Sequence, residues 1–142
     1  MKMSNYTMVN VLNTLNSFGN KKLPQKISYA ITRNIMIFRK EYEFYEREFG
    51  KLLVKYDKDI EKDVDGNMVH NKDGVPVVNG EASKDFYNEL NELLMIELDI
   101  SIYQISPEVF DYEDSERYDA MSASEIIQLQ SIMCDMANEE SE

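Results

Sequence analysis

Seven large apolar side chains, Ile35, Phe38, Tyr42, Tyr45, Phe49, Leu52 and Tyr56, follow one another at alternating spacings of three and four. Side chains so spaced share one face of an α-helix, because a turn takes 3.6 residues. Ile27, Ala30 and Ile31 extend the stripe back toward Pro24. Pro24 suits the first turn of a helix, where its missing N–H would have no partner in any case. The stripe predicts a helix from near Pro24 to near Ile60, roughly 50 Å long at 1.5 Å per residue. Its seam is rich in rings rather than in the Leu and β-branched knobs of a tight parallel dimer. Rings of that size favour packing against shorter helices of the same chain over an intermolecular coiled coil. Gly50 lies inside the helix, at a cost of about 1 kcal/mol relative to Ala, and reads as a close contact or a bend.

Charge is distributed unevenly about this helix. From Met1 to Ile60 there are eleven bases and six acids (+5), and from Glu61 onward four bases and twenty-one acids (−17), which gives the net −12. The first forty residues hold no acid at all. Their cations Lys21, Lys22, Lys26, Arg33, Arg39 and Lys40 form a candidate interaction face, with Glu113, Asp114 and Glu116 as its acidic counterpart. The alternative is internal neutralisation of the basic third by the acidic remainder. The whole-molecule charge opposes direct nucleic-acid binding and binding to an anionic membrane.

The rest of the chain reads as shorter elements of a single domain, 1–142. Ser4 or Asn5 caps a first helix with Val9, Leu12, Leu15 and Phe18 on one face, and Gly19 stops it. Asp65-Gly66 and Asp73-Gly74 are turn dipeptides within 63–80, which reads as a small β-hairpin turning at Asn71 to Gly74. Its strands are Asn67–His70 and Val75–Val78, and Pro76 makes its strand short or an edge. No internal repeat is evident. Ser83 caps a helix carrying Phe86, Leu90, Leu93 and Leu94, an antiparallel partner for the long helix. Ile96, Leu98, Ile100 and Ile102 alternate with polar residues and predict a strand. Ser106-Pro107 opens a helical turn through Phe110, and Asp111 to Asp119 is an exposed acidic loop. Ser122-Ala123-Ser124-Glu125 is a capping box for a last helix burying Ile126, Leu129, Ile132, Met133 and Met136. Residues 138–142 form a polar tail. The expected fold class is mainly α (α+β), a long amphipathic helix packed on shorter helices with a small hairpin and a short strand.

Candidate chemistry is sparse. Glu61 to Asn67 resembles the start of an EF-hand loop, but Lys72 stands where a bidentate Glu would ligate calcium. One His (His70) and one Cys (Cys134) fall far short of a zinc site. They also lack the third, orienting group of a thiol–imidazole nucleophile. The carboxylates read as solvated rather than paired across a cleft. A lone cysteine, an N-terminal stretch without the continuous apolar run of a secretory signal, and no run of ~20 apolar residues together imply a reducing cytoplasm and no membrane. No catalytic, cofactor or metal residues are expected.

The ordered segments Leu23-Pro24-x-Lys26-x-Ser28-Tyr29-x-Ile31, Arg39-Lys40-Glu41-Tyr42-Glu43, Asp65-Gly66-Asn67 and Phe86-Tyr87-Asn88-Glu89-Leu90-Asn91-Glu92-Leu93-Leu94 resemble a family of short, acidic, uncharacterised proteins of tailed bacteriophages and prophages. The resemblance covers most of the chain through helix and turn motifs in the same order. It implies a viral origin and supplies no catalytic residue. The expectation is a non-enzymatic phage accessory protein in the host bacterial cytoplasm, binding a host, defence or virion protein. A homo-oligomeric virion or tail-assembly component is the alternative, and an acidic nucleic-acid mimic is the third.

Overall fold

The computed structural model describes residues 1–134. Its elements in order are β1 (Lys2–Ser4), α1 (Asn5–Ser17), α2 (Gln25–Lys55), α3 (Ala82–Leu94), β2 (Glu97–Asp99) and α4 (Ala123–Met133), with 3-10 turns at Asp57–Asp59 and Pro107–Phe110. The class is mainly α (α+β), as the periodicities predict. Helix α2, at 31 residues, is about 46 Å long. Pro24 occupies its cap rather than its first turn, and the Pro24 carbonyl accepts from Ile27 N and Ser28 N at 3.0 Å each. The helix ends at Lys55, short of Ile60. There the chain tightens into the 3-10 turn, which lets both Tyr56 and Ile60 enter one core.

Helix α1 is capped by Ser4, whose hydroxyl accepts from Thr7 N at 3.2 Å, satisfying an otherwise orphan donor. Met8, Leu12, Leu15 and Phe18 form its buried face; Val9, expected there, is half-buried, because Met8 is the residue in register with Leu12 and Leu15. The predicted strand is β2, and it pairs antiparallel with β1 as Lys2↔Asp99, Met3↔Leu98 and Ser4↔Glu97.

The seam of α2 serves two cores. Phe38 is fully buried in a large cluster with Met8, Leu15, Ile27, Leu129 and Met133, and Ile35, Tyr42 and Tyr45 pack against it. Phe49 and Leu52 pack instead against a smaller cluster of Tyr56, Ile60, Val78, Phe86 and Leu90. Tyr45 bridges the two, its ring 5.8 Å from Tyr42 and 6.0 Å from Phe49. The stripe is thus consumed inside the chain. Gly50 has no neighbour within 4 Å of an added Cβ, so no close contact requires it. Helix α3 runs antiparallel to the end of α2, with Phe86 edge-on to Tyr56 at 5.4 Å. Ser83 lies inside α3, whose cap position is Glu81.

The hairpin region is a repeat after all. Asp63 Oδ1 accepts from Asp65 N and Asn67 N (2.9 and 3.0 Å), and eight residues on Asn71 Oδ1 accepts from Asp73 N and Val75 N (2.9 and 3.1 Å). Gly66 and Gly74 take φ of +84° and +78°, a region closed to most L-residues. Backbone pairing also has the eight-residue period. Val69 N donates to Glu61 O, Glu61 N to Val77 O, and Val77 N to Val69 O, at 2.8 to 2.9 Å. These bonds close a triangle, so three short segments bridge one another (Ile60↔Val78, Lys62↔Met68, His70↔Pro76) without long strands.

Beyond β2 the chain is irregular but pinned. Buried Asn34 donates to Tyr103 O at 3.0 Å and accepts from Tyr103 N at 2.8 Å. The capping box at Ser122 and Glu125 is formed, and α4 buries Leu129, Ile132 and Met133. Met136 and the 138–142 tail lie outside the described residues.

Candidate functional site

The structure divides the candidate basic face into three. Lys21 and Lys22 turn toward the acidic segment. Lys21 Nζ sits 3.3 Å from Glu125 Oε2. Lys22 N donates to Asp119 Oδ2 at 2.8 Å, and Asp119 N returns a bond to Lys22 O at 2.7 Å. Lys22 Nζ reaches Glu116 O at 3.5 Å. At this end Lys21 is neutralised by an ion pair, while Lys22 is tied to the acidic loop through backbone groups. Glu113, Asp114 and Glu116 stay exposed on the docked loop. Arg39 lies apart, beside the α1–α2 groove with Asn13, Asn16, Tyr42 and Glu46.

Lys26, Arg33 and Lys40 share the side of α2 opposite its seam, and Arg47 continues their series. These four follow at intervals of seven. Seven residues turn a helix through nearly two full circles, so the cations form a row about 10.5 Å apart almost along the axis. Between and beside them stand Tyr29, Met36, Phe44 and Val54, which are 51%, 60%, 66% and 79% exposed. Among the described residues, none of the four cations forms an ion pair, and Glu43 lines the α1–α2 groove with Arg39. Sequence reading missed Arg47 and the four apolar residues. The signal was the seven-residue recurrence, hidden when the cations were grouped by closeness in sequence.

At the N-terminal end of this row lies an open groove of about 450 Å³ lined by Gln25, Lys26, Tyr29, Tyr103, Ile105, Ser106 and Val109. Tyr29 and Tyr103 meet edge to face at 5.7 Å. The Arg33 guanidinium carbon stands 5.8 Å from the first ring centre and 5.0 Å from the second, within cation–π range. Its Nη1 donates to Tyr29 Oη at 3.1 Å. Asn34 fixes the backbone of Tyr103, so the aromatic wall is held from behind. An apolar floor with a cationic rim suits an apolar side chain that has a carboxylate close by.

A second groove, about 590 Å³, runs between α2 and α3. Four of its charges pair with one another, Lys55–Glu89 and Lys51–Glu48 both at 2.8 Å. The Tyr56 hydroxyl also donates to Glu89. That bond, with burial and the nearby Glu89, Asp85 and Asp59 charges, pushes the Tyr56 pKa up to about 12. Hydrogen bonds from Lys55 and Tyr56 hold the Glu89 carboxyl below its ordinary value. This cluster ties α2 to α3.

Cys134 is buried in the large cluster, and His70 is exposed in the repeat. Among the described residues, no group of three or more His, Cys, Asp or Glu is arranged to hold a metal. No described helix is long and apolar enough to cross a membrane. The chain matches no protein-family profile, no curated protein and no solved structure.

Proposed function

We propose that the protein is a non-enzymatic accessory protein of a tailed phage or prophage, working in the host cytoplasm by binding another protein, with host or anti-phage defence machinery as the target class. The observation that carries the binding reading is the outer face of α2. Cations that form no ion pair among the described residues stand there beside large exposed apolar side chains along one helix, in a chain whose net charge is −12. Exposed apolar groups framed by charge mark interaction surfaces on soluble proteins. A homo-oligomer through the heptad seam draws no support, since Phe38, Tyr45, Phe49 and Tyr56 pack within the chain. The exposed Glu113, Asp114 and Glu116 keep a nucleic-acid mimic as the second reading.

The test is recovery of tagged protein from infected cells, identification by mass spectrometry, and reconstitution of the complex from purified components. A reconstituted complex with a host or defence protein supports the proposal. Recovery of virion proteins alone replaces it with the assembly reading. Loss of binding on reversing Glu113, Asp114 and Glu116 together would point to the mimic.

A further inference from the structure

We propose that the outer face of α2 docks an acidic amphipathic helix of the partner protein, with one apolar side chain of that helix seated in the Tyr29–Tyr103 groove. This deepens the protein-binding reading and rests on it.

Register comes first. Lys26, Arg33, Lys40 and Arg47 recur every seven residues, with Tyr29 and Met36 repeating the interval alongside. Two helices that lie together at a shallow angle present equivalent side chains at that period. A partner helix with carboxylates every seven residues meets each cation in turn. Its apolar side chains fall on Tyr29 and Met36, which keep the interval, with Phe44 one residue out of step and Val54 beyond the row. The groove closes one end of the track and fixes the register, because Ile105 and Val109 offer it an apolar floor that the rest of the face lacks.

Charge selects the occupant. A second copy packed α2 on α2 through this face would set cations near cations, whichever way the helices ran. Duplex nucleic acid brings no apolar side chains to the exposed Tyr29, Met36 and Phe44, whereas an amphipathic helix supplies both carboxylates and apolar groups. The chain's own described acidic loop is already docked at Lys22. Size sets the strength. A track about 42 Å long and one helix wide buries on the order of 400 Å² on each side, the scale of a transient contact.

The probe is a fluorescent synthetic helix of about four heptads with Glu and Leu at the recurring positions, titrated with the full chain in anisotropy. Its controls carry Lys for Glu, or Gln for Leu. The Glu/Leu peptide is expected to bind, the Gln control about tenfold more weakly, and the Lys control not at all. Lys26→Glu, Lys40→Glu and Arg47→Glu together should weaken binding at least about tenfold. A control of equal net charge, Lys58→Glu, Lys72→Glu and Lys84→Glu, should change it less than about threefold. All six cations are exposed, and circular dichroism melts will report whether both variants stay folded. Absence of binding, or equal loss in the two variants, overturns the proposal. So does a dimer broken by the first variant alone, or duplex DNA that displaces the peptide at physiological salt. A native partner that is recovered by pull-down yet still binds the first variant leaves the protein-binding function standing and removes this surface from it.

Discussion

Asn34 does with one side chain what a strand pairing does with several residues. It sits fully buried on α2 and offers its amide to both backbone groups of Tyr103. The 100–105 segment has no helix or sheet of its own to satisfy those groups. Replacing Asn34 with Leu strands a part-buried N–H and carbonyl, each costing about 1–3 kcal/mol when water cannot reach it. The expected loss is about 2–4 kcal/mol in urea unfolding, with the Tyr29–Tyr103 groove loosened as well; a change below about 0.5 kcal/mol would mean that water substitutes. Tyr56 and Glu89 make a second residue-scale case, read through pH. Tyr56 ionises at about 12 when folded, against 10.0 ordinarily. Its contribution is whole below the unfolded value and is lost as pH rises from there through the folded one. Glu89 runs the other way. Its folded pKa is depressed, so its contribution holds above the ordinary value of 4.5 and falls away as pH drops through the folded one. Comparing the urea midpoint of wild type with Tyr56→Phe across pH 9 to 12 isolates the first effect. The wild type should lose stability more steeply in the window between the two pKa values, and parallel profiles would refute the assignment.

Among the elements, α2 was the most legible because period and burial coincide along it. Each position of the seam is buried or half-buried by some neighbour. The stripe could not show that those neighbours form two clusters, since a repeating pattern carries no record of what covers it. Strand β1 was invisible because three residues are too few for an alternation to register. The eight-residue repeat was hidden for a chemical reason. Asp63 and Asn71 are different residue types that present the same Oδ1 acceptor, and the pairing triangle closes through Glu61, outside the turns. The outer face of α2 escaped for a geometrical one. Cations adjacent in sequence, such as Arg39 and Lys40, point to different sides of a helix. Gly50 gives this scale its prediction. It is helical, and a methyl group there meets nothing. Gly50→Ala should therefore raise stability by about 0.4–1 kcal/mol, through helix propensity and a less flexible unfolded chain. An unchanged or lower urea midpoint would show that the helix needs its glycine.

At the scale of the whole molecule, α2 is a shaft with a core at each end, and the cores are unequal. Sixteen buried residues from β1, α1, α2, α4 and the irregular segment make the first. Five make the second, which closes the repeat onto α2 and α3. Free energy of local opening follows the apolar contact that opening removes. The second end should therefore open on its own before the molecule unfolds. Native-state hydrogen exchange reads this directly, because Glu61, Val69 and Val77 donate the three bonds of the triangle while the amides of α1 report on the large core. The triangle should exchange with a lower opening free energy than α1. Phe86→Ala, a truncation that typically costs about 3–5 kcal/mol, should speed exchange in the triangle while leaving α1 close to its wild-type rate. Leu129→Ala, in the large core, should lower protection in both, since losing that core unfolds everything. The order matters for binding. The aromatic groove, Lys26, Arg33 and Lys40 lie toward the strong end and Arg47 toward the weak one, so a variant that loosens only the weak end should lose less peptide affinity than Lys26→Glu, Lys40→Glu and Arg47→Glu together. Uniform protection across both ends, or equal acceleration by both substitutions, would show one cooperative unit in which repeat and shaft open together.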